Sequence, residues 1–376
     1  MAGLDMVVAG HLCLDVIPAI PPAAGGLAAL LAPGNLVHTG PAVVSTGGAV
    51  ANTGLALHRL GAPVRLAALT GRDVFGGAVR DIVERFGSGL SRSLMVRDDV
   101  STSYSVVVNV PGVDRIFLHC PGANDAFDAD SLRPELFARA GWFHFGYPPL
   151  MRKLFADGGS ELEKVFAKAR AAGLPTSLDM ARPDPASPAG KADWPAILRR
   201  ALPRVDVFLP SFDEITYMLD GAVETVPTLE RLRDISSRLL AMGTGAVLLK
   251  LGDQGAYLRT ASGGPGPGAA GDAAAWQDRE LYRPCFQVKA AGATGAGDCT
   301  IAGFLYGIRR ELTPEQCLRA ATAVGACNVE HPDATTGIVP WPEVESRLSA
   351  GWPSRPPADW ALAAGWRETA EGAWQP

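Results

Sequence analysis

The sequence predicts an α/β fold in which helices cover both faces of a mainly parallel sheet. Short apolar runs alternate along the chain with longer segments whose apolar residues recur at helical spacing. This alternation is typical of βαβ units, which bring consecutive strands side by side in parallel. The chain has 376 residues, of which 47% are hydrophobic, and it is long enough to bury a large core.

The first units of this alternation lie in the first quarter of the chain. The run MVVAG at 6–10 predicts a strand, and ANTGLALHRLG at 51–61 predicts a helix that stops at its final glycine. A second strand is predicted at 64–69 and a second helix at 76–87. The same pattern then continues with strands at 142–146, 176–180, 205–211 and 245–252 and with helices at 159–173 and 228–243.

Two regions interrupt the alternation and predict a small β-rich lid. Residues 12–46 contain several prolines and apolar pieces without helical period, and residues 101–120 predict two strands joined by a turn. We expect both to be insertions into a single large domain over residues 1–350. A tail at 351–376 is rich in tryptophan and proline, and we expect it to pack on the body of that domain.

Composition excludes several classes of function. The formal net charge of −5 gives no basic surface for nucleic acid, so no nucleic-acid partner is expected. The six cysteines include no CxxC pair, which favours free thiols in a reducing compartment. The N-terminus lacks the basic start of a signal peptide, and no run of about 18 uncharged apolar residues occurs. We therefore expect a cytoplasmic protein with no membrane partner.

The stretch AAGATGAGDCTIAGF at 290–304 combines glycines, one acid and the start of a helix. Apolar residues after Asp298 recur at helical spacing, which places Gly295, Ala296 and Gly297 at a helix N-terminus. Free backbone N–H groups there can bind a phosphate, and glycines allow its close approach. Asp298 is then either a residue that only stabilises the helix dipole or a catalytic base beside a phosphate site. The stretch matches neither the P-loop nor GxGxxG.

Two motifs together resemble the signatures of the ribokinase-like (PfkB) family of carbohydrate kinases. ATGAGDCTIAGF at 293–304 is similar to the C-terminal signature, and TGGAVANTGLALHRLGAPVRLAALTGRDVFGG at 46–77 is similar to the N-terminal one. The similarity extends from residue 5 to about residue 348. It implies a ribokinase-like fold, ATP and Mg²⁺ as cofactors, and a small-molecule sugar as the acceptor. It also implies a lid that in many relatives joins two subunits, so we expect a homodimer.

The resemblance assigns the reacting groups to the C-terminal motif. It implies that Asp298 is the catalytic base that takes the proton of the acceptor hydroxyl. It implies that Gly295, Ala296 and Gly297 form the anion hole for the transferring phosphoryl group. Backbone amides and one well-placed acid are sufficient for this chemistry, which depends on positioning and charge stabilisation.

The resemblance places the sugar at the other motif and under the lid. Asp15, in AGHLCLD, matches an early acid that binds sugar hydroxyls, although the residue alone is equally compatible with a turn at a strand end. Gly47, Gly48 and Asn52 match the family's sugar loop, and without the resemblance they would be residues of a helix start.

The nucleotide side is implied by two further segments. LPSFDEI at 209–215 is similar to the family's N-x-x-E segment, with Glu214 acting on magnesium through water and Ser211 standing where asparagine is usual. LLKLGDQGAY at 248–257 is similar to the strand and turn beside ATP, with Lys250 and Gly252 near the nucleotide. A lysine at the end of a buried strand can instead extend to solvent.

The sequence is compatible with three classes of function. The first is an ATP-dependent kinase acting on a sugar, with a nucleoside as the alternative acceptor. The second is a catalytically weak sugar-binding regulator of the same fold. The third is a nucleotide-dependent dehydrogenase, which the absence of GxGxxG after the first strand disfavours. The intact Gly-Ala-Gly-Asp sequence favours the kinase.

Overall fold

A computed structural model describes residues 4–21, 32–110, 116–263 and 273–376. Its centre is a ten-stranded sheet with the strand order β15-β16-β14-β13-β12-β11-β10-β9-β1-β4. The strands of this sheet are β1 Asp5–Gly10, β4 Val64–Ala67, β9 Ala140–Gly146, β10 Thr176–Asp179, β11 Val207–Phe208, β12 Ala246–Lys250, β13 Ala256–Thr260, β14 Glu280–Arg283, β15 Arg367–Glu368 and β16 Trp374–Gln375.

The sheet has a parallel part and an antiparallel part. All neighbours from β4 through β1, β9, β10 and β11 to β12 are parallel, which confirms the α/β prediction. From β12 onward every pair is antiparallel, an arrangement that the alternation did not predict. The turn between β12 and β13 is too short for a crossover helix, so the chain reverses direction there instead.

Helices cover both faces of the sheet. Their bounds are α1 Ala49–Arg59, α2 Val74–Phe86, α3 Arg152–Phe155, α4 Ser160–Ala171, α5 Trp194–Ala201, α6 Phe212–Asp220, α7 Leu229–Ala241, α8 Ala296–Arg309, α9 Pro314–Val329, α10 Trp341–Ser349 and α11 Asp359–Ala363. Within the described ranges, none of them is both long and apolar enough to cross a membrane.

The predicted helix and strand positions agree with the structure to within a few residues, with two exceptions. The strand predicted at 205–211 is reduced to Val207–Phe208. The strand predicted at 64–69 divides into β4 and a separate strand β5, Leu69–Gly71, which pairs with β6, Met95–Arg97. Periodicity alone could not find this division, because the partner strand β6 decides where the chain leaves the main sheet.

The alternating side chains of β1 show how the two faces of the sheet are buried. Met6 and Val8 belong to one hydrophobic cluster, and Val7 and Ala9 belong to a second. All four are at most 2% exposed. A strand that is apolar on both faces is typical of a central parallel strand covered by helices on each side.

A separate four-stranded sheet in the order β3-β2-β7-β8 forms the lid. Its strands are β2 Cys13–Ala19, β3 Gly40–Gly47, β7 Tyr104–Val108 and β8 Ile116–Cys120. They come from the two segments that interrupt the alternation. Residues 22–31 and 111–115 of those segments, including the predicted turn, lie outside the described residues.

Small residues allow α8 and α9 to pack closely. A Cβ atom on Gly303 would lie 2.5 Å from the carbonyl oxygen of Ala320, and one on Gly307 would lie 2.9 Å from Cys317 Sγ. Neither position leaves room for a side chain. The close contact fixes α8, which carries Asp298 near its N-terminus.

The tail contacts the antiparallel edge of the sheet. Trp360 lies 4.6 Å from the ring of Tyr282 and meets Trp366 edge-on at 5.6 Å. Trp374 lies in β16 and pairs with Tyr282 of β14. These contacts extend the sheet by two short strands after residue 351.

Candidate active site

The candidate site lies where the parallel strands end. Asp179 is the last residue of β10, Lys250 is the last residue of β12, and Tyr147 directly follows β9. The N-termini of α1 and α8 approach the same edge and carry Asn52 and Asp298. Ligands of open α/β sheets bind in this position, outside the carboxyl ends of the strands.

Asp298 is buried and accepts hydrogen bonds from three side chains. Its Oδ2 accepts from Asn52 Nδ2 at 3.0 Å and from the Tyr147 hydroxyl at 2.8 Å. Its Oδ1 accepts from Thr53 Oγ1 at 3.3 Å. These donors belong to α1 and to the end of β9 rather than to α8 itself. The carboxylate is therefore directed across the site and does not cap its own helix.

Burial and the neighbouring polar groups shift the pKa of Asp298 in opposite directions. Burial raises the pKa of its carboxyl, whereas Lys250 and the hydrogen bonds from Asn52, Tyr147 and Thr53 lower it. Burial is the largest effect, so the pKa lies above the ordinary value. A carboxylate whose pKa is raised is a better proton acceptor, as general-base catalysis requires.

The two glycines before Asp298 differ in the space around them. Gly295 has φ 75°, and a Cβ there would lie 2.7 Å from the Cβ of Ala334. The nearest neighbour of a Cβ on Gly297 would be Lys250 Nζ, at 3.6 Å. The N-terminus of α8 and the ammonium of Lys250 thus face the same small space, which suits an anion.

Lys250 lies among buried carboxylates. It is 8% exposed, and its Nζ lies 2.6 Å from Asp179 Oδ1. Burial alone would lower the pKa of Lys250, but Asp179 and Glu214 offset this effect and raise it. The lysine is therefore a buried cation and does not extend to solvent. The sequence analysis did not identify this ion pair.

Glu214 lies at the start of α6, in a capping arrangement with Ser211. The backbone N–H of Ser211 donates to Glu214 Oε2 at 2.7 Å. Burial raises the pKa of Glu214, and the charge of Lys250 opposes that rise. A serine in place of the usual asparagine therefore still begins the helix and keeps the carboxylate in position.

Asp15 and the predicted sugar loop lie at the junction of lid and sheet. Asp15 Oδ1 accepts from Cys13 Sγ at 3.3 Å, and burial raises the pKa of the Asp15 carboxyl. A Cβ on Gly47 would collide with that carboxylate. Gly48 has φ 91°, and a Cβ there would collide with the ring of His11. Neither position therefore has room for a side chain.

His11 is a buried polar residue that the sequence analysis did not identify. It is 2% exposed, and neither ring nitrogen has a hydrogen-bond partner among the described residues. Its ring lies 5.3 Å from that of His119 and 6.1 Å from that of Tyr147. Burial, with a smaller effect of His119, lowers its pKa to about 3, so the imidazole is neutral at physiological pH.

The signal that could have revealed Tyr147 and His11 is positional. Each directly follows a predicted strand of the parallel sheet, at the edge where ligands bind. Thr53 could have been found beside Asn52 only with knowledge of the helix orientation. Asn124 bridges the backbone of Leu12 through its side-chain amide and holds the β1–β2 connection, a role that no local pattern predicts.

A cleft of 720 Å³ adjoins the anion space on the side away from the lid. The predicted residues Ser211, Lys250, Gly252 and Gly297 line it. The rest of its lining comes from α8 and α9, from residues 285–293, and from Asp253, Gly255, Arg355 and Pro356. The volume is suitable for a nucleotide-sized ligand.

Phosphoryl transfer requires from a protein a place for the phosphates and a group that accepts a proton. The structure has a cleft and, near it, the buried carboxylate of Asp298, and the fold adds a β lid. Similarity to sugar kinases makes the protein a phosphotransferase with an alcohol group as acceptor, and its fold is ribokinase-like. The chain belongs to the pfkB family of carbohydrate kinases, whose family profile matches residues 6–342.

Individual relatives agree with this assignment. A curated relative from Archaeoglobus fulgidus, described as an uncharacterized sugar kinase, is 24% identical over 287 residues, which are 76% of this chain and 98% of the relative. The structure of Arabidopsis thaliana ribokinase complexed with ribose and ATP superposes with a TM-score of 0.70, 20% identity and coverage of 92% and 98%. A putative ribokinase II from E. coli in complex with ATP and Mg²⁺ gives a TM-score of 0.69, 20% identity and coverage of 92% and 99%.

Proposed function

We propose that this protein transfers the terminal phosphoryl group of ATP to a hydroxyl of a small free sugar. The observation that carries the proposal is the position of Asp298. Its carboxylate contacts Asn52 and Tyr147 on the lid side, and the adjacent Gly297 faces Lys250 in the cleft. A base in this position has the acceptor on one side and the donor on the other.

Each of these groups has one task in the transfer. Asp298 accepts the proton of the acceptor hydroxyl. The hydroxyl oxygen forms a new bond to the γ-phosphorus of ATP, and the bond between that phosphorus and the β–γ bridging oxygen breaks. The backbone N–H groups of Gly295, Ala296 and Gly297 stabilise the charge on the phosphoryl oxygens. Lys250 adds a fixed positive charge beside them. The oxygen that bridged the β and γ phosphorus atoms of ATP stays on the β-phosphate of the departing ADP.

The carboxylate of Glu214 fits a magnesium ion held through water. Glu214 presents a half-buried carboxylate near Lys250, and magnesium prefers oxygen ligands and keeps several waters. Magnesium, when bound, neutralises phosphate charge. Glu214 would order its water ligands, while Ser211 and Gly252 line the donor cleft beside it. The E. coli and Arabidopsis structures with bound ATP support the donor assignment.

A free sugar is supported by the small set of polar groups on the lid side. Asp15 and Asn52 offer side-chain oxygens and an amide, and His11 offers two neutral ring nitrogens. Gly47 and Gly48 allow Asp15 and His11 to lie close against the backbone of this region. Side chains of these types can form hydrogen bonds with the hydroxyl groups of a sugar.

The test is ADP release with a panel of pentoses, hexoses, sugar acids, sugar phosphates and nucleosides. We expect magnesium-dependent turnover with one free sugar, reduced about 10²–10⁴-fold in Asp298→Asn. Turnover only with a nucleoside would replace the proposed acceptor. Tight sugar binding with no ADP release would identify a sugar-binding regulator instead.

The lid supports a further proposal, association into a homodimer. Its two edge strands expose apolar side chains, with Val43 59% exposed on β3 and Leu118 57% exposed on β8. Exposed apolar edge strands are suited to pairing with another chain. Sedimentation of the protein and of the double variant Val43→Lys, Leu118→Lys should show a dimer and a monomer, respectively.

A further inference from the structure

Residues 352–356, here called the strap, lie beyond the part of the chain that the family profile matches and run along the outer wall of the nucleotide cleft. The backbone N–H of Arg355 donates to the carbonyl oxygen of Cys285 at 2.7 Å. The backbone N–H of Gln287 donates to the carbonyl oxygen of Pro353 at 2.8 Å. These two bonds bring the Arg355 side chain to the lining of the cleft.

Aromatic contacts hold the strap in place independently of Arg355. The ring of Trp352 stacks on that of Phe286 at 4.6 Å, and its Nε1 donates to the carbonyl oxygen of Gln287 at 2.9 Å. The guanidinium of Arg347 covers the other face of Trp352 at 3.6 Å. Replacing the Arg355 side chain therefore leaves the principal anchors of the strap intact.

Arg355 is the cationic side chain of the cleft that is available to bind an anionic ligand. Among the described residues that line the cleft, the cationic side chains are Lys250 and Arg355. Lys250 is buried and committed to Asp179. Arg355 pairs with Asp253 at 2.9 Å, and the two side chains are 47% and 74% exposed. Water screens so exposed an ion pair, and the guanidinium can leave it at little cost.

We propose that Arg355 is a donor-binding residue that contacts the phosphates of the nucleotide. This inference rests on the proposed function. The turn Gly252–Asp253 begins two residues after Lys250 and lines the same cleft as Gly297 and Arg355. Arg355 Nη1 also donates to the backbone oxygen of Asp253 at 3.1 Å. A guanidinium has five donors and can keep this bond while binding phosphate oxygens.

The test is calorimetric titration of the purified full chain with ADP and with adenosine, without any acceptor. We expect Arg355→Ala to weaken ADP binding about tenfold, equivalent to about 1.4 kcal/mol, and Arg355→Lys to weaken it less. Adenosine binding should be unchanged. Arg367→Ala removes an exposed arginine of the same tail and should leave ADP binding at the parent value. Thermal melting of each variant checks that it is folded.

Asp253→Asn separates phosphate binding from a purely structural role. If Arg355 binds phosphate, removal of the competing carboxylate leaves ADP binding unchanged or tighter. If the Arg355–Asp253 pair only supports the wall of the cleft, Asp253→Asn weakens ADP binding as Arg355→Ala does, and the proposal is overturned. Equal ADP affinity in Arg355→Ala and parent, or an equal loss of adenosine binding, also overturns it.

The titration also distinguishes this inference from the proposed function. A protein that binds ADP through Arg355 but phosphorylates no acceptor of the panel contradicts the kinase proposal and leaves the donor site standing. A kinase whose ADP affinity does not depend on Arg355 contradicts only the inference. A parent chain that binds no ADP contradicts both.

Discussion

The hydroxyl of Tyr147 donates a 2.8 Å hydrogen bond to the Asp298 carboxylate across 151 residues of sequence. Tyr147 has φ 66°, a left-handed backbone conformation that residues with side chains rarely adopt. Such strain costs on the order of 1–3 kcal/mol and is found preferentially at functional sites. The end of β9 is thus held in a strained turn that brings the phenol to the proposed base.

This contact predicts a change in the pH dependence of Tyr147→Phe. Asp298 must be ionised to accept a proton, so activity falls as the pH drops through its pKa. Loss of a hydrogen bond to the ionised form raises that pKa further. We expect the acidic limb of the kcat profile to move to higher pH, since a hydrogen bond to a charged group contributes about 1.5–3 kcal/mol. An acidic limb at the same pH in Tyr147→Phe and parent would exclude an effect of Tyr147 on the pKa of the catalytic base.

The two glycines of the proposed anion hole, Gly295 and Gly297, should respond differently to replacement by alanine. Gly297 has room for a Cβ and lies inside a helix, where alanine is preferred by about 1 kcal/mol, so Gly297→Ala should melt at the same or a higher temperature. Its methyl group would occupy the phosphate space, and we expect at least a tenfold loss of kcat/KM. Gly295→Ala instead forces a side chain into φ 75° and against Ala334, and should lower the melting temperature. Full activity of Gly297→Ala would place the phosphate elsewhere.

The unpartnered imidazole of His11 predicts a role in acceptor binding. Replacement in His11→Phe keeps a ring of similar size and removes both nitrogens. We expect the acceptor KM to rise about tenfold while the ATP KM stays constant, because one buried hydrogen bond contributes about 0.5–1.5 kcal/mol and a second can be lost with it. His38→Phe, at an exposed position of the lid segment, serves as the control. A rise in the ATP KM instead would assign His11 to the donor side.

Replacement of Glu214 should alter the magnesium requirement. Glutamine preserves the capping bond to Ser211 and removes only the charge, so Glu214→Gln should keep the fold. We expect half-saturation to need about tenfold more magnesium, because a neutral amide orders metal-bound water less strongly. Asp213→Asn is the matched control: that acid is the neighbouring residue and pairs with Arg182 near the surface. Equal magnesium titrations for parent and Glu214→Gln would exclude this role.

The sequence by itself determined the fold class and the positions of most helices and strands. It did so because periodic burial is a local property: β1 alternates between two apolar faces, and α8 repeats its apolar residues every three to four positions. The contiguous motif around Asp298 and the Gly47–Asn52 segment were readable for the same reason, since each lies within a few residues of a helix start.

Only the tertiary structure decided which of these groups meet. Lys250 is separated from Asp179 by 71 residues, and its burial follows from the order of the strands rather than from its neighbours in sequence. The antiparallel edge and the strap at Arg355 depend on pairing with β14 and with residues 285–287, which local pattern cannot specify. Strand pairing and helix packing are long-range contacts, and they set the distances and burial on which the chemistry of the site depends.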